Sequence, residues 1–342
     1  VGSRHLVLNL RDQRPAWALP DRVVQALRAD LPEGWRMTVV DAPADGRGDG
    51  AGASREALEA VADAEAYAGF GVPPEILEAG PGLRWVHSAA AGVGGSLSEA
   101  MRTSKVIFTN SAGVHAVPMA EWVIGAVLHF GRGFDVALRA QAARSWDKRP
   151  FDAAEPPVRE LADQRMGILG YGGIGREVAA RASALGMRVS ATRRSPSATP
   201  VGVELITGEG AAHEVASRSD VLAVCLPETD ETRGMVSADL LAAMPEDAVL
   251  INVARGSVVD ETALIAALAE GRLRGAALDV TAREPLPEDS PLWEFLNILI
   301  TPHVSATSPR FWDRQMELIR ANLRRYVRGE PLVNEVDRAA GY

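Results

Sequence analysis

The stretch Met166-Gly167-Ile168-Leu169-Gly170-Tyr171-Gly172-Gly173-Ile174-Gly175 decides the fold. Its first four residues form a short apolar run of strand character. Gly170 to Gly175 then match G-x-G-x-x-G, and Arg176–Leu185 carries helical spacing. A strand, a glycine turn and a helix in that order predict the opening βα unit of a dinucleotide-binding domain. The glycines let the backbone turn tightly and approach a pyrophosphate, which rests on N–H groups at the helix start.

Working outward, strand-like runs at Arg188–Thr192, Val221–Cys225, Val249–Asn252, Ala276–Val280 and Ile298–Thr301 follow Met166–Leu169, giving the six strands of a doubly wound sheet. Upstream, the runs His5–Leu10, Met37–Asp41, Ala66–Phe70, Arg84–His87 and Val106–Thr109 alternate with the helical stretches Asp21–Ala29, Ser54–Ala62 and Pro73–Ala79. That alternation predicts a second parallel sheet covered on both faces. The segment Asp41–Ala53, rich in Gly, Asp and Ala, reads as a mobile surface loop. A long apolar helix at His115–Arg132 precedes Arg144–Asp163, where Pro150, Pro156 and Pro157 suggest an extended arm. The fold class expected is α/β, with two Rossmann-like doubly wound parallel-sheet domains. Residues 110–303 form the NAD(P)-binding domain. Residues 4–109 and the returning segment 304–342, with its helix Arg310–Arg328, form a discontinuous substrate domain.

Composition narrows the function classes. The 342 residues carry 36 Lys and Arg against 45 Asp and Glu, a net charge of −9. An acidic surface argues against nucleic acid and against anionic membrane as partners, since both are attracted by basic patches. The lone cysteine, Cys225, reads as a buried core thiol that can form neither an intramolecular disulfide nor a thiolate cluster. No run of about 18 apolar residues is present, and Val1-Gly2-Ser3-Arg4 lacks a leader's charged and apolar regions, so a cytoplasmic protein is expected. His5, His87, His115, His129 and His213 show no metal-ligand spacing and are read as structural, so no metal site is expected.

The second strand of the glycine-motif domain ends Ser190-Ala191-Thr192-Arg193-Arg194-Ser195. An NAD site usually has an acid there for the adenosine ribose. Two guanidiniums and a hydroxyl suit a ribose 2′-phosphate instead, because arginine offers bidentate, charge-assisted donors. NADP(H) is therefore the expected cofactor, with NAD(H) the alternative.

Three further segments fall at the carboxyl ends of predicted strands, where ligands collect in open α/β sheets. They are Ile251-Asn252-Val253-Ala254-Arg255-Gly256, the run Asp279-Val280-Thr281-Ala282-Arg283-Glu284-Pro285, and Thr301-Pro302-His303-Val304-Ser305. A cation, a carboxylate and an imidazole on neighbouring strand ends could bind an acid and run acid–base chemistry. With Leu226-Pro227-Glu228-Thr229-Asp230-Glu231-Thr232-Arg233-Gly234, these motifs resemble in order those of the D-isomer-specific 2-hydroxyacid dehydrogenases. Ser88-Ala89-Ala90-Ala91-Gly92-Val93 resembles that family's substrate loop, and the match runs from about Arg84 onward. It departs at Gly94-Gly95, where members commonly carry an Asp-Asn type continuation.

The resemblance implies a role for each matching residue. His303 would be the general acid–base, Glu284 would orient its imidazole, and Arg255 would grip the substrate and polarise its carbonyl. Backbone N–H groups of Ala91, Gly92 and Val93 would bind the substrate carboxylate. Gly170, Tyr171, Gly172, Gly173, Ile174, Gly175, Arg193, Arg194, Ser195, Leu226, Pro227, Thr232, Val253 and Ala254 would line the cofactor, and Asp279 would accept from its carboxamide. Trp312 is offered either as a substrate-lining side chain or as plain packing. The implied activity is reduction of a small 2-oxo acid such as glyoxylate or hydroxypyruvate by a homodimer. The alternative is a dinucleotide-sensing corepressor-like protein on the same fold.

Overall fold

The computed structural model describes residues 4–44, 48–155, 157–194 and 201–342, which divide into two compact units. One comprises Val1–His115 with Thr307–Tyr342, the other Ala116–Ala306. The sequence reading sets these divisions at 109/110 and 303/304.

The first unit is built on β1 (Arg4–Asn9), β2 (Trp35–Val39), β3 (Ala66–Gly69), β4 (Trp85–Ser88) and β5 (Ile107–Thr109), all parallel, in the order β2-β1-β3-β4-β5. Side chains of successive residues alternate between faces. Leu6 and Leu8 therefore enter one core with Trp85, Phe311 and Ile319, while Val7 and Val86 enter the opposite one. Side-chain caps start several helices, and the one at Ser54 lies where the sequence placed it. Ser54 accepts from the Ala57 N–H at 3.1 Å, and Ser98 from Met101 at 3.2 Å. The terminal helix Phe311–Arg328 ends at Gly329, whose left-handed φ of 68° breaks it. Its anchor is a buried polar cluster. His87 Nδ1 lies 2.9 Å from Thr109 Oγ1, and His87 Nε2 lies 2.8 Å from Gln315 Nε2.

The second unit contains β6 (Arg165–Leu169), β7 (Arg188–Thr192), β8 (Val203–Ile206), β9 (Val221–Val224), β10 (Ala248–Asn252), β11 (Leu273–Leu278) and β12 (Ile298–Ile300). The order is β12-β11-β10-β9-β6-β7-β8, parallel throughout. The sheet therefore has seven strands where the sequence suggested six. The extra one, β8, is a four-residue edge strand paired only with β7, and only Val203 in it is buried. Strand order reverses between β6 and β9, so their carboxyl ends flank the crevice in which open α/β sheets bind ligands.

Two local expectations need correction. Asp41–Ala53 is not simply a surface loop: Gly48–Gly50 forms a 3₁₀ turn, Ala51 is buried, and the Asp49 carboxylate is tied into the unit. The long apolar helix spans Ala116–Gly131, and a second helix, Phe134–Ala142, begins after the left-handed Gly133. Beyond it, the Arg144–Asp163 segment has turns and bends and a 3₁₀ turn at Leu161–Asp163; its Pro156 lies outside the described residues. Among the described residues no helix is long and apolar enough to cross a membrane.

Candidate active site

The glycine turn is built as its spacing requires. Gly170 has φ +99°, and a Cβ there would sit 2.9 Å from the Cys225 carbonyl oxygen, where the ends of β6 and β9 converge. At Gly175 a Cβ would lie 2.1 Å from the Gly170 oxygen, so only glycine lets the helix Gly173–Ala184 pack this closely on the turn. Gly172 caps that helix and differs: a Cβ there would meet nothing within 4 Å. Protein packing does not explain this glycine. It leaves the backbone bare at a helix N-terminus, which fits a pyrophosphate. The turn is tethered to β7, because Thr192 Oγ1 accepts from Gly170 N at 2.9 Å and Thr192 O from Tyr171 N at 2.8 Å.

Arg193 and Arg194 follow β7, where their N–H-rich side chains were expected. Arg194 Nη2 lies 2.9 Å from Glu231 Oε2 in an exposed ion pair. Ser195 lies outside the described residues. Leu226 and Pro227 follow β9, and Thr232 is spent within its own turn, its hydroxyl donating to Pro227 O at 2.7 Å and accepting from Thr229 N at 2.8 Å. Val253 and Ala254 are buried in the cores on either side of the sheet.

Arg255, Glu284 and His303 all belong to the second unit, after β10, β11 and β12. Asn252, buried at the end of β10, shapes the arginine turn by accepting from Ala254 N at 3.0 Å and donating to Arg255 O at 3.1 Å. Arg255 is exposed, with Nη1 2.8 Å from Ala254 O. The next residue packs so tightly that a Cβ on Gly256 would lie 1.9 Å from Thr281 O. This contact holds the arginine turn against the segment carrying Glu284. Glu284 Oε1 accepts from Thr281 N at 3.3 Å, and Oε2 lies 2.8 Å from His303 Nδ1.

His303 adopts φ +55°, in the left-handed region that side chains other than glycine rarely enter. Asp279 keeps it there. This carboxylate, 1% exposed, accepts from Thr301 Oγ1 at 2.5 Å, Val304 N at 2.8 Å and Ser305 N at 2.9 Å. Its main-chain oxygen accepts from His303 N at 2.9 Å. Three of the roughly four acceptor positions on the carboxylate are thus taken by the loop around the imidazole. The structure assigns Asp279 to bracing that loop, a use that the sequence reading, which gave it to the cofactor, did not foresee. Asn252 and Thr301 were missed in the same way. Each was visible only as a polar residue at a strand end.

In the first unit, the loop after β4 turns its carbonyls inward. Ala90 O accepts from Ser111 N at 3.0 Å and Ala91 O from Asn110 Nδ2 at 2.8 Å. The N–H groups of Ala91, Gly92 and Val93 donate to no group among the described residues. Adjacent main-chain donors left open in this way suit an anion. Asp49, beyond the loop, has its carboxyl pushed above the usual range, because burial outweighs its hydrogen bonds to Ser96. Trp312 is 5% exposed and packs edge-on to Phe70 and Phe311. Among the described residues, no group of three His, Cys, Asp or Glu side chains is placed to hold a metal ion.

The profile of one family, described as D-isomer specific 2-hydroxyacid dehydrogenase, NAD binding domain, matches residues 124–305. A glyoxylate/hydroxypyruvate reductase A of Salmonella newport is 35% identical over 285 residues, 81% of this chain and 87% of the relative. The chain belongs to the D-isomer specific 2-hydroxyacid dehydrogenase family. As a member it is an NAD(P)-dependent oxidoreductase. Its fold is similar to that of a D-isomer specific 2-hydroxyacid dehydrogenase from Xanthobacter autotrophicus in complex with NADPH and MES, with a TM-score of 0.82 and 32% identity, covering 100% of both chains. It is also similar to an NADPH-dependent glyoxylate/hydroxypyruvate reductase from Sinorhizobium meliloti in complex with NADP and sulfate. There the TM-score is 0.78 and identity 27%, over 99% of this chain and 100% of the other.

Proposed function

We propose that the protein reduces a small 2-oxo acid, glyoxylate or hydroxypyruvate, to its D-2-hydroxy acid with NADPH. The observation that carries this reading is the 2.8 Å contact of His303 Nδ1 with Glu284, on a loop that a buried aspartate holds in place. A carboxylate hydrogen-bonded at Nδ1 orients the ring, leaving Nε2 to give a proton to the substrate oxygen and take it back in the reverse direction. Arg255 neutralises charge that builds on the same oxygen and holds the acid group. The open N–H groups of Ala91, Gly92 and Val93 take the substrate carboxylate. Gly170 to Gly175 hold the pyrophosphate, and Leu226, Pro227, Val253 and Ala254 line the site. When bound, the nicotinamide supplies the hydride. Arg193, Arg194 and Ser195 receive the 2′-phosphate, a choice supported by the missing acid after β7 and by the NADPH and NADP bound to the two solved relatives.

The protein acts as a homodimer through the second unit. Phe134 and Leu138 stand four residues apart on one helix, 52% and 54% exposed. Leu296, 73% exposed, lies beside that helix, because Arg139 Nη1 donates to its carbonyl at 2.6 Å. An aspartate at Leu138 should shift the molecular mass in light scattering from two chains to one.

Turnover of a panel of 2-oxo acids with NADH and NADPH tests the reaction. Glyoxylate or hydroxypyruvate with NADPH should give the highest kcat/KM, and an Arg193→Asp, Arg194→Ala double variant should lose the preference for NADPH. No turnover of any 2-oxo acid would refute the activity, and an unchanged preference in the double variant would refute the cofactor assignment.

A further inference from the structure

The loop that offers the Ala91, Gly92 and Val93 N–H groups is fixed at its entrance by Ser111 and Asn110, as described above. Its far end is held by a residue remote in sequence. Asp49, on the 3₁₀ turn Gly48–Gly50, places Oδ2 3.0 Å from Ser96 N, and its Oδ1 accepts from the Ser96 hydroxyl. The Ser96 hydroxyl oxygen in turn accepts from Val72 N at 2.8 Å. One carboxylate thus holds both the main chain and the side chain of Ser96. Ser96 N also lies 3.1 Å from Val93 O, so the same residue closes the turn that begins inside the loop.

The main chain of Asp49 is as closely fitted as its side chain. A Cβ on Gly95 would lie 2.8 Å from Asp49 O, and one on Gly71 2.6 Å from the same atom. Only glycine at both positions lets the 3₁₀ turn seat between the two loops. The carboxylate is half-buried, and among the described residues no ion pair holds it. A charge in that setting is costly unless several donors surround it; the main donors belong to the loop's exit, and the Ser88 hydroxyl at its entrance adds a longer contact of 3.5 Å.

We propose that Asp49 is a positioning residue for substrate binding, fixing Gly95-Ser96 so that the Ala91–Val93 N–H groups stay aimed at the substrate carboxylate. This rests on the reading of that loop as the carboxylate site. Asp49 touches neither substrate nor cofactor and acts only through the loop.

The experiment compares Asp49→Asn, Gly95→Ala and Gly92→Pro in the full-length enzyme, with glyoxylate and NADPH as probes. Asparagine keeps the shape but replaces one acceptor oxygen by an NH₂ group facing Ser96. It should raise KM for glyoxylate about tenfold, or ~1.4 kcal/mol. Both kcat and KM for NADPH should stay within about twofold of wild type. Gly95→Ala, which pushes Asp49 away with its carboxylate intact, should give the same pattern, and the double variant should add little to either single change. An unchanged glyoxylate KM in both Asp49→Asn and Gly95→Ala would overturn the proposal. So would a fall in kcat at constant KM, the mark of a merely destabilised enzyme. Gly92→Pro deletes one loop N–H and tests the underlying reading. If it leaves the glyoxylate KM unchanged, the loop is not the carboxylate site and both ideas fall. If it raises KM while Asp49→Asn and Gly95→Ala do not, the site stands and only the role of Asp49 is refuted.

Discussion

Nδ1 of His303 lies 2.8 Å from Oε2 of Glu284, while Oε1 of the same carboxylate takes the Thr281 N–H. The glutamate is therefore fixed at one oxygen and orients the ring with the other. Removing the ring and removing its brace should have different effects. His303→Ala should lower kcat by about 10³-fold or more, and Glu284→Gln, which keeps a hydrogen bond but loses the charge, by about 10²-fold. Quenching of protein fluorescence by NADPH should give nearly the wild-type affinity in both. Equal turnover in Glu284→Gln and wild type would remove the glutamate from the mechanism.

Asp279→Asn probes the clamp behind the imidazole. The amide would set an NH₂ group against N–H donors that now meet a carboxylate oxygen. An unfavourable contact of this kind in a buried site costs about 1–3 kcal/mol. Urea unfolding should show that loss, and kcat should fall along with stability as His303 loses its register with Glu284. Full stability with full activity would show that the hydrogen bonds to Asp279 carry no weight.

The left-handed backbone of His303 predicts a reversal of the usual order of substitutions. A non-glycine residue in that conformation costs about 1–2 kcal/mol. His303→Gly should thus be more stable than His303→Ala by ~1 kcal/mol, read as a higher urea midpoint at the same slope. Both variants should be inactive. An alanine variant as stable as the glycine one would mean the turn relaxes once the imidazole is gone.

Acid stability should depend on His87. Burial pushes its pKa from 6.5 down to about 3, and it sits neutral among Thr109, Ser111 and Gln315. The folded pKa lies below the unfolded one, so its contribution is fully present above pH 6.5 and is lost as pH falls toward 3. Between about pH 6 and 5 the loss should approach ~1.4 kcal/mol per pH unit. His5 and His129 are shifted the same way by burial, so the test is the difference between wild type and His87→Gln. Equal slopes for the two proteins would refute the assignment.

What the sequence made legible was local. Strand, glycine turn and helix at Met166–Leu185 are contiguous, and every strand of the first unit shows as an apolar run between turn residues. Edge strand β8 did not show, because half-exposed Glu204-Leu205-Ile206 has neither a continuous apolar run nor a clean alternation. Arg255, Glu284 and His303 could be located at strand ends from spacing alone. Their supports could not. The bond from Asp49 to Ser96 spans 47 positions, and that from Thr301 to Asp279 spans 22. Such contacts exist only once the fold has brought segments distant in sequence side by side. The left-handed φ of His303 was hidden for a related reason: the following loop imposes it, and histidine itself does not prefer it.

Cys225 follows β9 under the glycine turn, 8% exposed, with its thiol pushed up to about 12 by burial. A thiol in that state carries almost no thiolate at neutral pH and gives alkylating reagents little to attack. The chain should therefore be nearly silent to maleimide and iodoacetamide. A cysteine introduced at any exposed position, such as Trp146, would then be the sole handle for a fluorophore or spin label, so distances and motions in this enzyme can be followed without first removing a native residue.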